Sequence, residues 1–370
     1  MVATQLVIIQ PTSQCNINCS YCYLPERTLK KRINMRTVAR IGEALFASPF
    51  VGESISIVWH AGEPLILPVR FYEQALHCLQ EQNTRGVRIE HHIQTNATLI
   101  TQEWCDFFQR QHIQIGVSLD GPQFVHNASR VDRGGAGTFE HTMRGVRLLQ
   151  QNAIPFAVIA VVTQHSLPFA QEIWRFFSDL RPRRLCFNAE EQEGIHLTSS
   201  LYSAENVARY QLFLREIFAC NTQAGEPLKI REFETIRERI QFGKLWARSQ
   251  TNIPGAIFSF DCDGNVSTFS PEMLTMAFPE QGAFQFGNVF THTLEQVLAS
   301  QKCLQVQAAI QRGVSRCLQT CEYFVFCGGG YPSNKLSEHQ TFDASETHAC
   351  RLRVKATADV VLEHLESKAL

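Results

Sequence analysis

The stretch PTSQCNINCSYCYLP, residues 11–25, decides the fold that this sequence predicts. It places Cys15, Cys19 and Cys22 in a CxxxCxxC loop directly after an apolar run, QLVIIQ at 5–10. A closed zinc or ferredoxin-type site normally has four protein ligands. Since no fourth Cys or His lies close by in this loop, the pattern favours an iron–sulfur cluster that leaves one iron open to a small molecule.

Short apolar runs alternate with segments of helical period from residue 4 to about residue 220. This alternation predicts an α/β fold with a parallel sheet, and six such units predict a partial (β/α)6 TIM barrel. The predicted strands are 5–10, 54–59, 88–94, 113–118, 156–162 and 183–188, and the helices are about 36–47, 70–83, 101–111, 139–152, 168–179 and 203–220. Chemistry in such barrels collects at the C-terminal ends of the strands.

Composition excludes several classes of protein. Among 370 residues, 34 Lys plus Arg stand against 35 Asp plus Glu, so no basic excess indicates a nucleic-acid partner. No apolar run approaches the length of a membrane span, and the opening residues do not form a basic and then apolar leader. We therefore expect a cytoplasmic protein with no membrane and no nucleic-acid partner.

The chain divides by composition into four predicted parts. We expect a barrel over 1–225, a helical linker over 226–250, a cysteine-bearing domain over 251–350 and a C-terminal helix over 351–370. The turn signal DCDGN at 261–265, between FSF and VSTF, predicts a small hairpin in the third part.

The 13 cysteines favour metal binding over disulfides, because the count is odd, the chain is long and no export signal precedes it. Those in periodic or apolar segments are predicted to be small buried hydrophobes; they are Cys78, Cys105, Cys186, Cys220 and Cys303. A second group has the spacing of a closed metal site, which the spacing alone leaves open between zinc and iron–sulfur; it comprises Cys317, Cys321, Cys327 and Cys350.

The N-terminal half resembles the radical S-adenosylmethionine (SAM) superfamily, whose signature CxxxCxΦC takes Tyr21 as its aromatic residue. The motifs WHAGEP (59–64), QTNAT (94–98), SLDGP (118–122) and HNASR (126–130) follow predicted strands in the family's order. The resemblance implies that the open iron chelates SAM and that SAM cleavage gives a 5′-deoxyadenosyl radical. It implies SAM contacts from Tyr21 (adenine), Gly62 and Glu63 (amino group), Ser118 and Arg130 (ribose or carboxylate), with Asn96 and Asp120 as second choices.

The C-terminal half resembles the SPASM extension of peptide-modifying radical SAM enzymes, which typically carries two auxiliary [4Fe-4S] clusters. Tyr331 and Phe269 stand where that extension has cysteines, and Cys262 is left without partners. The resemblance therefore implies one auxiliary cluster, on the four cysteines from Cys317 to Cys350, and two [4Fe-4S] clusters in total. A structural zinc knuckle is the alternative.

Long stretches are similar to the cyclophane-forming maturases of glycine-rich-repeat precursors, the GrrM/OscB group. That resemblance implies a C–C crosslink between an aromatic ring and a side-chain β-carbon of a precursor peptide that is glycine-rich and carries aromatic residues. It also implies an electron donor, a reductase or a flavodoxin or ferredoxin. The base candidates are Glu272 and Glu191 first, with Glu190 and Glu193 beside them.

Two other functions stay open. A sulfatase-type maturase that forms formylglycine uses the same cofactor, but the missing ligands for a third cluster count against it. A metal-binding peptide adaptor without catalysis would not need the GEP and SLDG motifs or Arg130. Since the sequence shows no separate domain before residue 5, we expect the barrel or the second domain to grip the peptide.

Overall fold

The structure, a computed structural model, describes residues 3–242 and 249–369, and its first part consists of six βα units. The strands are β1 (Thr4–Ile9), β2 (Val51–Trp59), β3 (Arg88–Thr95), β4 (Gln114–Ser118), β5 (Phe156–Val162) and β6 (Arg184–Ala189). The helices are α1 (Met35–Ala47), α2 (Val69–Gln82), α3 (Gln102–Arg110), α4 (Gln123–Ser129), α5 (Phe139–Gln151), α6 (Ala170–Leu180) and α7 (Ala204–Gln223). The predicted partial barrel is confirmed.

The six strands pair in parallel in the order β1 to β6. Alternate residues of β5 are buried. Trp59 at the end of β2 packs on Tyr72 of α2, and the two rings meet edge to face with their centroids 5.3 Å apart. Helices cover the outer face of the sheet. Because the six strands are parallel, their C-terminal ends all lie at the same edge of the sheet.

The C-terminal part adds to this sheet. It contains α8 (Arg231–Phe242), β7 (Ile257–Phe260), β8 (Asn265–Thr268), β9 (Ala277–Phe278), β10 (Gly282–Ala283), β11 (Gly287–Asn288), α9 (Leu294–Ala299), α10 (Gln301–Thr320), α11 (Phe324–Cys327), α12 (Pro332–His339), α13 (His348–Cys350) and α14 (Thr357–Ala369). A π-helical segment, Arg351–Ala356, joins α13 to α14.

The predicted hairpin is present, with β7 and β8 antiparallel and Phe258 opposite Thr268. β7 also pairs in parallel with β1, so that Val7 stands opposite Phe258. One sheet in the order β11-β8-β7-β1-β2-β3-β4-β5-β6 thus crosses the boundary expected near residue 251. Part of the expected linker, residues 243–248, lies outside the described residues.

Two differences from the predicted elements have local causes. The segment at 123–129 is a short helix, α4, that the sequence pattern gave as a strand-end loop, because its seven residues are too few to show helical period. β2 begins at Val51 rather than at 54, since Thr4 pairs with Val51 at the start of the sheet. Within the described residues, no helix is long and apolar enough to span a bilayer, and all 13 cysteines carry free thiols.

Candidate active site

The three-cysteine loop is held by its backbone. Cys15 N–H donates to the carbonyl of Arg27 at 3.0 Å. Asn18 N–H donates to the loop after α4 at 2.7 Å, and Ser20 N–H donates to the carbonyl of the last residue of α4 at 3.0 Å. The Arg133 guanidinium adds a bond to the Cys15 carbonyl at 2.8 Å. Because these bonds use peptide groups, the conformation of the loop is fixed without the sulfur atoms.

The turn after β2 packs directly on the cysteine loop. Glu63 N–H donates to the Gln14 carbonyl at 2.8 Å. Gly62 has φ +58°, and a Cβ there would lie 2.4 Å from the same oxygen. This close approach requires glycine. Ala61 also has positive φ, +81°, which is a strained conformation for a residue with a Cβ.

Glu63 is 1% exposed and its carboxylate accepts three hydrogen bonds. The donors are Leu65 N–H at 3.0 Å, the Thr95 hydroxyl at 2.7 Å and Asn96 N–H at 2.7 Å. Burial raises the pKa of Glu63 to about 7, although the three hydrogen bonds act in the opposite direction. The carboxylate therefore ties the ends of β2 and β3 together beside the cysteines.

Tyr21, Asp120 and Arg130 form one buried group. The Tyr21 hydroxyl donates to Asp120 at 2.5 Å, and Arg130 Nε forms an ion pair with the same carboxylate at 3.1 Å. Arg130 Nη1 lies 3.7 Å from Cys19 Sγ, and its guanidinium carbon is 5.4 Å from the Tyr21 ring centroid. Asp120 thus balances the charge of the arginine that stands beside the cysteine sulfur.

A cavity of about 330 Å³ lies at the strand ends, and it brings together almost all of the predicted barrel residues. Those that line it are Cys15, Cys19, Cys22, Tyr21, Gly62, Glu63, Asn96, Ser118 and Arg130. Ser118 lies at its wall, where the hydroxyl accepts from Gln94 Nε2 at 2.9 Å. Asp120 is outside the lining and contacts the cavity through Tyr21 and Arg130.

The same cavity also has acidic lining residues, which come largely from distant parts of the chain. Glu191, Glu193 and Glu272 line the cavity with Tyr331 and Arg353. Arg353 Nη1 bonds to Glu191 Oε1 at 3.1 Å, and its guanidinium lies 4.2 Å from the Tyr331 ring centroid. Arg353 is a cavity residue that sequence reasoning missed, because no motif marks it and only the fold carries the C-terminal segment to the barrel mouth.

The acids differ in their surroundings. Burial first, and then the neighbouring Glu272 and Glu191 carboxylates, raise the pKa of Glu193 well above its usual value. Burial also raises the pKa of Glu272, against the lowering influence of Arg353. Glu191 is instead held by Arg353 and by Asn334 Nδ2, which donates to it at 2.8 Å.

Glu190, the remaining base candidate, is also committed to partners. Its carboxylate accepts from Ser200 N–H at 2.9 Å and contacts His196 Nε2 at 3.0 Å. These bonds close the loop after β6, and Gly194 in that loop has no room for a Cβ, which would lie 2.3 Å from the Tyr23 carbonyl. The loop is therefore packed on the cysteine loop.

The four C-terminal cysteines line a second, smaller cavity of about 50 Å³. Cys317 begins this set at the end of α10, and Cys350 closes it at the end of α13. Cys262 lies elsewhere, with its thiol 3.4 Å from the Gln10 carbonyl, and Phe269 is fully buried. Tyr331 turns into the large cavity, so the residue that replaces a cysteine serves the active site instead.

Both cysteine groups fit iron–sulfur clusters better than single ions. Within residues 3–242 and 249–369, no three His, Cys, Asp or Glu side chains come close enough together to hold one metal ion. A cluster spreads its ligands over several irons, so its cysteines stand around a cavity, as they do here. Burial raises the pKa of Cys15 to about 12 and that of Cys19 to about 11, so thiolates there need the positive charge of a metal centre.

Comparisons with known proteins agree with this geometry. The family model described as the radical SAM superfamily matches residues 9–167. An uncharacterized protein of Synechocystis sp. is 41% identical over 367 residues, which cover 98% of this chain and 92% of that protein. The serine-type anaerobic sulfatase-maturating enzyme of Bacteroides thetaiotaomicron is 26% identical over 93% of this chain and 86% of its own length.

A solved structure has the same fold along the whole chain. It is native anSMEcpe with bound AdoMet and Cp18Cys peptide, with a TM-score of 0.80, 22% identity and 99% coverage of both chains. The fold, the order of the strand-end motifs and the matching relatives lead to one conclusion: this chain belongs to the radical SAM superfamily and is a radical SAM enzyme related to the peptide-modifying, anaerobic sulfatase-maturating enzymes.

Proposed function

We propose that this enzyme removes a hydrogen atom from the β-carbon of one residue in a peptide or protein and completes a two-electron oxidation there. One observation carries the proposal. A single cavity is lined both by the three-cysteine loop with its motifs and by two half-buried acids, Glu193 and Glu272. Such a cavity brings a radical source and a proton acceptor to the same substrate.

The barrel residues have the chemistry to hold the cofactor. In the proposal, Cys15, Cys19 and Cys22 ligate a [4Fe-4S] cluster and Glu63 binds the amino group of SAM, and the bound pair supplies a 5′-deoxyadenosyl radical. Tyr21 and Ser118 contact the nucleoside, and Asp120 orients Arg130 toward the cysteine side. Asn96, whose Nδ2 bonds to Asn16 Oδ1 at 2.9 Å, keeps the loop against β3.

Glu193 and Glu272 are the proposed proton acceptors. Both line the cavity and are half-buried, and the Glu272 carboxylate helps to raise the pKa of Glu193. In the proposal the pair holds a single proton, so one carboxylate is available as a base. Glu191, although it lines the same cavity, is better placed to hold Arg353. We therefore assign the role of proton acceptor to Glu193 in place of Glu191, while Glu272 remains a proton acceptor as the sequence suggested.

A peptide has a route to these acids. A groove with a cavity of about 360 Å³ shares Glu193 with the active site and is lined by Ile195, Leu197 and Phe278. Leu197 is 71% exposed and Ile195 is 52% exposed, so two large apolar side chains stand open to solvent beside an acid of the active site. In the proposal this apolar groove receives residues that flank the modified side chain.

The auxiliary site has room for one cluster in this proposal. Cys317, Cys321, Cys327 and Cys350 surround the small cavity and supply four thiolates. A second auxiliary cluster has no cysteines here, because Phe269 is buried in the core and Cys262 faces a backbone carbonyl. With the SAM-binding cluster, this gives two [4Fe-4S] clusters per chain.

Two products fit the same first steps. The comparisons favour formylglycine, because named relatives along nearly the whole chain are sulfatase-maturating enzymes. The sequence resemblance favours a cyclophane crosslink, and one observation keeps this product as a candidate. Phe269 and Tyr331 stand where cysteine ligands of another cluster are expected, and the Tyr331 ring lines the cavity.

Mass spectrometry separates the two products. The enzyme is co-expressed either with a glycine-rich peptide that carries aromatic residues or with a sulfatase-derived peptide that carries Cys or Ser. Formylglycine predicts a product that reacts with a hydrazide probe. A crosslink predicts loss of two hydrogens, no hydrazide adduct and no backbone fragments between the joined residues. Unmodified peptide with both substrates, from enzyme that cleaves SAM, would contradict the proposed function.

A further inference from the structure

Lys335 is a buried cation beside the auxiliary site. It lies on α12, is 3% exposed, and its ammonium donates to Cys317 Sγ at 3.3 Å. A buried lysine is normally paired with a carboxylate. In the part of the chain that the structure describes, the bond to this sulfur is the hydrogen bond that the Lys335 ammonium makes.

The fold makes a specific place for this side chain. A Cβ on Gly313 of α10 would lie 3.1 Å from Lys335 Nζ and 2.0 Å from the Phe342 carbonyl. The glycine at position 313 therefore leaves room for the Lys335 ammonium and for the Phe342 carbonyl beside the cysteine cavity.

The other cation at this site is neutralised. Lys355 also lines the small cavity, but its ammonium forms an ion pair with Glu346 at 3.0 Å and is partly exposed. Glu346 in turn also binds Arg351. Lys335 is thus the buried charge that acts on the cysteines without a carboxylate partner among the described residues.

The N-terminal site has the opposite arrangement. Arg130 stands beside Cys19 Sγ, but Asp120 lies 3.1 Å from its Nε and balances its charge. Net charge and hydrogen bonds to sulfur are among the factors that set the reduction potential of an iron–sulfur cluster. A cation whose charge is balanced by a carboxylate leaves the reduction potential low, which suits a cluster that gives an electron to SAM. A cation without a carboxylate partner raises the potential, which suits a cluster that accepts an electron.

We propose that Lys335 raises the reduction potential of the auxiliary cluster and so makes the C-terminal site the electron acceptor of the reaction. This rests on the proposed function, in which Cys317 is a cluster ligand. The electrons balance as follows: a substrate C–H bond gives its hydrogen atom to the 5′-deoxyadenosyl radical, and the substrate radical then gives one electron to the oxidised auxiliary site and one proton to the Glu193–Glu272 pair. A protein acceptor of flavodoxin or ferredoxin type removes that electron.

The test is a redox titration followed by electron paramagnetic resonance, on full-length enzyme in which Cys15, Cys19 and Cys22 are replaced by Ala. Only the auxiliary cluster then titrates. Lys335→Met removes the charge, Lys335→Gln keeps a donor without the charge, and Lys335→Arg keeps the charge. Lys355→Met is the matched control, because that lysine lines the same cavity but is already paired.

We expect Lys335→Met and Lys335→Gln to lower the ratio of reduced to oxidised cluster about tenfold at a fixed potential, which is about 59 mV for one electron. Lys335→Arg should stay within about threefold of the parent, since it keeps the charge. Lys355→Met should also stay within about threefold, since that ammonium is partly exposed and paired with Glu346, so solvent and the carboxylate screen its charge. An unchanged potential in Lys335→Met or Lys335→Gln would overturn the proposal, as would an equal shift in Lys335→Arg.

Iron content separates a failure of the Lys335 proposal from a failure of the auxiliary cluster assignment on which it rests. If the parent with three alanines holds about four irons, the cluster assignment stands and the titration judges Lys335 alone. If that parent holds no iron although it is folded by circular dichroism, the cluster assignment fails, and the role of Lys335 fails with it. Because Gln and Met differ in shape, a folding defect in one variant leaves the other to decide.

Discussion

The two cysteine regions of this enzyme are built in opposite ways. The N-terminal loop is fixed by backbone hydrogen bonds to the barrel and opens on a cavity of about 330 Å³. The C-terminal cysteines come from the ends of three helices, the long α10 and the short α11 and α13, and they enclose about 50 Å³. An open, preformed site suits a cofactor that must meet substrate, whereas a closed site suits storage of an electron and support of the fold.

The largest expected effect tests the open site. Replacing Cys15, Cys19 and Cys22 with Ala should abolish 5′-deoxyadenosine formation and lower iron from about eight to about four per chain, because one of two four-iron clusters is lost. Anaerobic reconstitution, iron analysis and product chromatography measure both quantities.

The matched control is Cys78→Ala, since Cys78 lies on α2 outside both cavities. It should keep the native iron content and rate. Native 5′-deoxyadenosine formation by the triple variant would remove the basis of the comparison, and about twelve irons in the native protein would require a third cluster.

The closed site should show a mixed effect. Cys350→Ala should make the protein less soluble and abolish modified peptide, while some SAM cleavage persists at the N-terminal site, because metal binding contributes to the folding of this segment. Thermal unfolding and mass spectrometry check the two parts. Normal peptide modification by this variant, with one cluster present, would mean that the C-terminal cysteines have neither role.

The acids between the two regions should act on the product and not on the radical. Glu272→Gln should slow peptide modification about 10²-fold, the lower end of general base catalysis, and leave uncoupled 5′-deoxyadenosine formation within about threefold. Glu191→Gln tests the assignment, because it should disturb Arg353 and weaken peptide binding more than turnover. An equal loss of both products in Glu272→Gln would assign that carboxylate to SAM binding instead.

The pH dependence of that pair follows from burial. Because the pKa values of Glu193 and Glu272 are raised in the folded protein, peptide modification should increase as pH rises through them, whereas 5′-deoxyadenosine formation should not follow that rise. Ionising buried acids also costs stability, so the native protein should become less stable as pH rises from the unfolded to the folded pKa values. Glu272→Gln should reduce both slopes, and unchanged slopes would contradict the assignment.

The smallest effects test whether the N-terminal loop is preformed. Gly62→Ala should destabilise the protein by about 2 kcal/mol, since it adds strain and a clash with the Gln14 carbonyl. Ala61→Gly should stabilise it by about 0.5 kcal/mol, because relief of left-handed strain exceeds the entropy lost by glycine. Chemical denaturation measures both. Equal stabilities of the two variants would argue against a rigid loop.

The sequence predicts the barrel well because its signals are local. Period-two and helical patterns mark each βα unit, and the motif after each strand, such as SLDGP, falls on the cavity wall through topology alone. The spacing of Cys15, Cys19 and Cys22 predicts a metal site for the same reason: nearby ligands on one loop need no knowledge of the rest of the fold.

The rest of the site depends on contacts between distant residues, which no spacing shows. Arg353 and Tyr331 reach the barrel mouth only because the C-terminal segment folds over it, and they decide which acid is available. Glu191 and Glu193 are two residues apart and look equivalent in sequence, yet one binds Arg353 and the other is left to the cavity. The role of Lys335 likewise depends on a distant glycine, Gly313, that leaves room for its ammonium.

The central claim is that hydrogen is taken from a β-carbon of the substrate. The most direct measurement uses a substrate peptide deuterated only at the β-carbon of the modified residue, with mass spectrometry of the 5′-deoxyadenosine formed. The account predicts one deuterium in 5′-deoxyadenosine for each modified residue. Unlabelled 5′-deoxyadenosine alongside modified peptide, with label transferred instead from an α-carbon-deuterated peptide, would contradict it.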